Sequence, residues 1–355
     1  MRASPPAPSG WRRVTRQSPC PVCNKPDWCS LTRDGAVVVC MRIPSRRQLN
    51  SGGWLHRVTE PFSVPHPSTT VIGPAIELAP VEQRHRVYRA FARELGLLPG
   101  HEDHLLEVRG LPTLALEGFA STPARESSRR REIAANIIRQ LRNDNILRGV
   151  PGFYVDQGGC WTCRSVPQGI LVPVPDPTGQ IQAFQVRIDR PDPSGQRYIW
   201  LSSRGRSGGS SPGAPVAFWQ PEFTTNSTIL ITEGNIKGAV AAWHLSAWAI
   251  AVPGVAAWRG ALNFLPRGIA VAIAYDADSV VNPHVARHER ELARHLFWRG
   301  HPVSIARWVP ECKGIDDALL AGKAIDLRDW PGGSRSSSLR ERVKPAEAVF
   351  AEASE

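Results

Sequence analysis

Lysine is scarce in this 355-residue chain: Lys25, Lys237, Lys313, Lys323 and Lys344 are the whole complement, although lysine and arginine together number 43. The formal charge of +11 is therefore carried by arginine, with a pI near 9.8. Such a chain is expected to meet polyanions, an inference about association and not about fold. Arginine suits bidentate phosphate contact, and a GC-rich genome, suggested by the abundance of Ala and Pro, carries equal weight as the source of the bias. Long apolar runs are also missing. No stretch of eighteen apolar residues occurs, so no membrane-spanning helix is expected. Met1 to Gly10 is rich in Pro and Ser without an apolar core, so no secretory leader is expected there. Seven cysteines, an odd number in short-spaced clusters, fit metal binding in a reducing compartment better than disulfides, and a cytoplasmic location follows. There is no internal repeat, and no Walker phosphate loop that would power a helicase.

The composition that is present divides the chain. Residues 1–18 are expected to be disordered, and 19–60 to form a small cysteine-bearing domain. Residues 61–80, rich in Pro, Ser and Thr, read as a linker. Residues 81–225 read as a helical and β-hairpin subdomain. Val87, Tyr88, Phe91, Leu95 and Leu97 recur at helix spacing, a second helix carries Leu105, Leu106 and Val108, and a third spans 131–141. Gly169 to Arg187 reads as strand, Asp-Pro-Thr-Gly turn, strand, and Ser202 to Pro215 as a mobile loop. Residues 226–330 alternate: strand 228–232, helix 236–245, strand 247–252, strand 269–275, helix 284–299, strand 302–307. Alternation of near-continuous apolar strands with helices is the mark of an α/β fold with a doubly wound parallel sheet. Residues 331–355 read as a disordered tail.

Two clusters carry chemistry. Cys20-Pro21-Val22-Cys23 is a metal knuckle, since two thiolates two residues apart can clasp one tetrahedral ion. Cys40 supplies a third ligand by hairpin return, and Cys29 is preferred to His56 as the fourth. The competing reading is a set of buried thiols acting as small apolar groups. A closed four-ligand zinc site is structural, and its task would be to present a strand surface to nucleic acid.

The second cluster is acidic. Glu233 ends the apolar run from Thr228, and Asp276-Ala277-Asp278 ends the run from Ile269. Carboxylates at the carboxyl ends of parallel strands lie in the crevice where open α/β sheets bind ligands. Gathered there they repel one another unless a cation sits between them, so they predict Mg²⁺ or Mn²⁺ and phosphate chemistry. Asp316 and Asp317 fall on the same rim, either as further metal ligands or as first-turn acids of a helix. Lys237, one turn along from Glu233, either reaches a phosphate or is solvated. Trp161, Trp200 and Trp219 either stack bases or fill the core.

Thr232-Glu233-Gly234 and Asp276-Ala277-Asp278 resemble the glutamate and Asp-x-Asp motifs of the Toprim domain, shared by bacterial replicative primases, type IA and type II topoisomerases and certain nucleases. Upstream, Gly169 to Arg187 is similar to the primase hairpin, Arg197-Tyr198-Ile199-Trp200-Leu201-Ser202-Ser203 to the stretch that follows it, and Arg109-Gly110-Leu111 to the helical segment of the primase core. The cysteine knuckle occupies the place of the primase zinc ribbon. The resemblance covers residues 19–325 in order, and is nearest to the short primase-like proteins of phages, plasmids and other mobile elements. It implies a Toprim-type sheet preceded by a mixed α+β subdomain and an N-terminal zinc ribbon.

The activity implied is primer synthesis on single-stranded DNA from nucleoside triphosphates, beside a separate replicative helicase. Asp276 and Asp278 would hold the metal, Glu233 would ligate it or accept the hydroxyl proton, and Arg187 and Arg197 would contact template or nucleotide. Two departures from the family stand out. Lys237 occupies a position where replicative primases carry an acid, and the closing Cys-x-x-Cys pair after Cys40 is absent. Metal-dependent cleavage by the same acids, or noncatalytic binding of single-stranded DNA, are the alternatives. A topoisomerase is disfavoured, because Tyr88, Tyr154, Tyr198 and Tyr275 all lie in or beside predicted elements.

Overall fold

The computed structural model describes residues 11–32, 35–43, 45, 47, 49, 53–58, 76–191, 197–277 and 282–330, with the backbone of 336–338. Contacts divide the chain into two units, Met1–Ile72 and Gly73–Glu355.

In the first unit, strands β1 (Trp11–Arg13), β2 (Ser30–Thr32), β3 (Val37–Cys40) and β4 (Trp54–Arg57) form an antiparallel meander in sequence order. The core consists of Val14, Leu31 and Val38 with the buried cysteines Cys20, Cys29 and Cys40. Among the described residues the apolar core is small, and small domains of this kind gain from a further crosslink. Trp11–Arg13 pairs with Ser30–Thr32, and Thr15 bridges Ser18, so ordered chain begins inside the stretch expected to be disordered. A three-residue strand with two arginines carries no alternation to read, and its pairing is made across the intervening knuckle. The linker expected over 61–80 lies mostly outside the described residues.

The second unit opens with α1 (Val81–Leu95) and α2 (Pro99–Asp103), which runs into a π-helical turn at His104–Val108. The second expected helix is thus short and widened at its end. Next come β5 (Ala120–Ser121) and α3 (Ser127–Leu141). The third helix starts four residues earlier than its apolar spacing indicates, because its first turn, Ser127-Ser128-Arg129-Arg130, is entirely polar; Arg129 pairs with Glu132 at 2.9 Å. A small hairpin, β6 (Phe153–Val155) and β7 (Trp161–Cys163), precedes the long one, β8 (Gly169–Pro175) and β9 (Ile181–Ile188), and β10 (Tyr198–Trp200). These build a four-stranded antiparallel sheet in the order β10-β9-β8-β5. The following loop is tied down: Ser203 N–H donates to the Ser210 carbonyl at 3.0 Å, Val155 N–H to Ser207 at 2.8 Å and Gly149 N–H to Gly208 at 3.0 Å.

The seven-stranded sheet contains β11 (Ala217–Trp219), β12 (Ile229–Glu233), β13 (Ala249–Val252), β14 (Val271–Ala274), β15 (Val303–Arg307), β16 (Asp326–Trp330) and β17 (Ser336–Ser338), in the order β11-β13-β12-β14-β15-β16-β17. The four central strands are parallel, and β11, β16 and β17 pair antiparallel at the edges. The expected parallel sheet is therefore its centre alone. Asp-Leu-Arg-Asp-Trp, with Leu327 buried between exposed Asp326 and Arg328, is a strand near the sheet's margin, between β15 and β17, whose polarity hid it. Ser336–Ser338 is ordered backbone inside the expected disordered tail; the remainder of 331–355 lies outside the described residues.

Helices α4 (Asn235–Leu245) and α6 (Ile315–Leu320) cover one face of the sheet and α5 (Pro283–Trp298) the other. Successive strand residues serve opposite faces. Ile229, Ile231, Ile250 and Ile273 pack towards Leu292 and Leu296 of α5, each isoleucine contributing about 2 kcal/mol by burial. The opposite face is lined by Leu230, Ala249, Ala251, Ala272 and Ala274, small groups that let α4 approach closely. The same core continues into Ile170, Val172 and Val174 of β8, which fixes the hairpin sheet against α4. From β12 the chain crosses to β13 on one side, then returns to β14 on the other. The crevice beyond β12 and β14 is a topological switch point.

Candidate active site and metal centre

Glu233 is the last residue of β12, and Gly234 turns the chain at φ 94° into α4 at the next position. A side chain at 234 would be strained in this left-handed backbone. Thr232 is fully buried, and its hydroxyl donates to the Ala274 carbonyl at 2.8 Å. That bond locks the carboxyl ends of β12 and β14 together; half-buried Glu233 is the last residue of β12, and buried Asp276 follows two residues after the end of β14. Asn235 braces the junction from behind, donating to the Pro173 carbonyl at 2.8 Å and accepting from the Trp219 indole at 2.8 Å. Trp219 is thereby a core residue and not a surface for bases. Asp278 lies outside the described residues.

Lys237, in the first turn of α4, forms an ion pair with the Asp276 carboxylate. Ala277 N–H donates to the Lys313 carbonyl at 2.9 Å, drawing the loop before α6 against the end of β14. This loop separates two neighbouring acids. Asp317 is exposed and its carboxylate accepts from Gly314 N–H at 3.0 Å, closing the first turn of α6. Asp316 is 1% exposed. Its Oδ2 accepts from Arg109 Nη1 at 2.7 Å, while Oδ1 has no hydrogen-bond partner. Burial pushes the Asp316 carboxyl above its ordinary range, against the pull of Lys237 and Arg109.

Arg109 is the residue that sequence reasoning missed as part of this site. It stands 207 positions from Asp316, and nothing local marks the pairing. Gly110 makes the approach possible. At φ 60°, a β-carbon there would lie 2.6 Å from Leu320 and 3.0 Å from His244 Nε2, so the Arg109-Gly110 backbone sits directly on α4 and α6. His104 packs beneath, 3.4 Å from Arg109 Nε. Burial, Arg187 and Arg109 together drive its pKa down to about 4, leaving a neutral imidazole at physiological pH. Arg187 is thus close to this cluster, on β9 opposite Tyr198 of β10. Arg197 is exposed at the start of β10, where its carbonyl accepts from Ile188 N–H at 2.8 Å.

The first unit gathers four sulfurs. The Sγ atoms of Cys20, Cys23, Cys29 and Cys40 all lie within 4.8 Å of one another, with Cys23–Cys29 at 3.7 Å and Cys29–Cys40 at 3.9 Å. Tetrahedral thiolates about 2.3 Å from zinc stand about 3.8 Å apart, so the spacing fits. Backbone N–H groups of Met41 and Ile43 donate to Cys29 Sγ at 3.4 Å and Cys40 Sγ at 3.3 Å, as negatively charged sulfurs require. Burial drives the Cys29 thiol up to about 12, whereas at Cys23 the Lys25 amide and neighbouring cysteines outweigh burial and bring it down to about 7. His56 is turned away to the Ile43 carbonyl, at 2.9 Å. Among the described residues this is the group of three or more ligating side chains within mutual reach. Cys163 is buried in β7 and Cys160 exposed beside it.

Residues 218–325 match a family described as a domain of unknown function, DUF3854. No curated protein matches the chain. Among solved structures it is similar to the zinc-binding and RNA polymerase domains of the Aquifex aeolicus primase, with 15% identity, a TM-score of 0.47, and 68% of this chain and 62% of that chain covered. A DNA primase domain from Pseudomonas aeruginosa gives 14% identity and a TM-score of 0.47, covering 77% and 82%. The E. coli primase catalytic core gives 15% and 0.45, covering 77% and 83%. The chain spans less than two thirds of the Aquifex structure.

Proposed function

We propose that this protein is a primase-like nucleotidyltransferase that extends a 3′-hydroxyl on a single-stranded DNA template with nucleoside triphosphates. The observation that supports this reading is that β12, which ends in Glu233, and β14, which leads to Asp276, are paired in parallel and fastened at their carboxyl ends by the Thr232–Ala274 bond. The Toprim-like motifs supply the chemistry, and Asp278 completes the acidic set in sequence. The fit to a divalent cation rests on hard carboxylate oxygens at a strand-end crevice and on Asp316 Oδ1, buried without a partner. Glu233, Asp276 and Asp278 would hold Mg²⁺ or Mn²⁺, which when bound neutralises the triphosphate.

The chain's own residues do the rest. Glu233 accepts the proton of the attacking hydroxyl or takes a place at the metal. Arg187 and Arg197 contact template or nucleotide phosphates. His104, held neutral, adds no charge of its own to the cluster. Arg109 anchors Asp316 and so fixes the loop that packs on Asp276. In this reading the cysteine knuckle holds structural zinc and presents the meander to DNA, and a separate helicase opens the duplex.

Cleavage of phosphodiesters by the same acids is the second reading, favoured by Lys237 at a position where polymerising relatives carry an acid. Labelled nucleotide incorporation and cleavage of labelled single-stranded DNA, measured together with Mg²⁺ or Mn²⁺, separate the two. Asp276→Asn is expected to abolish whichever activity is present. An Asp276→Asn protein as active as wild type would sink both.

A further inference from the structure

Lys237 is held more firmly than a surface lysine. Its side chain is 24% exposed and its ammonium contacts Asp276. The aliphatic stem runs between two glycines. A β-carbon on Gly314 would stand 3.0 Å from Lys237 Cε and 3.2 Å from Nζ, and one on Gly234 would stand 3.7 Å from Cδ. The same point over Gly314 lies 2.2 Å from Asp316 Oδ1, the buried oxygen that has no hydrogen-bond partner. The ammonium thus contacts the carboxylate of the loop after β14 and lies near that of Asp316, which opens α6. The second oxygen of Asp316 is already on Arg109. Each of these two aspartates therefore has a protein cation beside it.

We infer that Lys237 is a tethered cation standing in for one divalent ion, so that the rim loads a single Mg²⁺ or Mn²⁺. This rests on the reading of the rim as a metal site. Where two ions act together they sit about 3.5–4 Å apart and share carboxylates between them. Here the carboxylate of Asp276 that would be shared carries an ammonium instead. An ammonium held on the Asp276 carboxylate repels a second dication at that distance. An acid at position 237 would reverse both effects, adding a ligand and removing the repulsion. Lys237 accordingly sets the number of metal ions, and its direct partner is Asp276 and not a phosphate of the substrate.

The test counts bound Mn²⁺ on the full chain, with the cysteine knuckle loaded with Zn²⁺, from the loss of the free-ion electron paramagnetic resonance signal. Wild type is expected to take up one Mn²⁺ per chain, and Lys237→Asp two. Lys237→Met keeps the apolar stem and removes only the charge; it is expected to admit a second Mn²⁺ as well, which keeps the test open if Lys237→Asp fails to fold. Two ions in wild type, or one ion in both folded variants, would overturn the inference while leaving the metal site standing. No Mn²⁺ bound by wild type overturns the metal reading and the inference with it.

Discussion

Replacing Arg109 with methionine keeps most of its apolar stem and removes the one donor on Asp316 Oδ2. Asp316 would then be an almost fully buried carboxylate without its arginine partner. Removing one partner of a buried pair costs about 3–5 kcal/mol. Arg109 is one-fifth exposed and Lys237 remains near by, so the lower end applies, about 3 kcal/mol. The deficit should depend on pH in a definite direction. The folded-state pKa of Asp316 is already raised by burial above its ordinary 3.8, and losing Arg109 raises it further. Between the unfolded and folded values the folded state binds more protons, so stability falls as pH rises through that window. The loss should therefore be largest at neutral pH and shrink towards pH 4.5. Urea unfolding followed by circular dichroism at both pH values measures it. The double variant Arg109→Met/Asp316→Asn should recover about half of the loss at pH 7.5, because an amide carries no charge to strand. A single variant costing under about 1 kcal/mol, or a double variant no more stable than the single, would refute the argument.

Cys29→Ser should drop bound zinc from one per chain to well below one by atomic absorption, and open the first unit to limited proteolysis, since among the described residues its apolar core is small. Gly110→Ala should destabilise the second unit by about 2–3 kcal/mol in chemical denaturation, from the positive φ and from overlap with Leu320 and His244. For His104, depressed from 6.5 to about 4, the unfolded chain binds the extra proton between those values. Stability should fall as pH drops from 6.5 towards 4, and His104→Gln should flatten that slope in thermal melts.

The central strands of the α/β region were legible because their residues are apolar almost without interruption. Strands buried on both faces, such as Ile229–Glu233 and Val271–Ala274, need no partner in view to declare themselves. The knuckle was legible for a similar reason: Cys20 and Cys23 are near neighbours, and thiolate chemistry limits what two such cysteines can do. Less visible were elements whose identity rests on pairing. β1 is mostly arginine, β11 is three residues, and β16 alternates charge with a single buried leucine.

Glu233, Asp276 and the four cysteines were fixed as candidates by sequence alone, since strand ends and short spacings are local properties. Tertiary structure decided how they are held. It set Thr232 across two strands, sent Asp316 inwards and Asp317 outwards from adjacent positions, and chose Cys29 over His56 for the sulfur cluster. It also brought Arg109 to Asp316 across 207 residues and laid Lys237 on Asp276. The reason is physical: which charges neutralise one another in a low-dielectric crevice depends on distances between elements, and no period or motif along the chain records those distances.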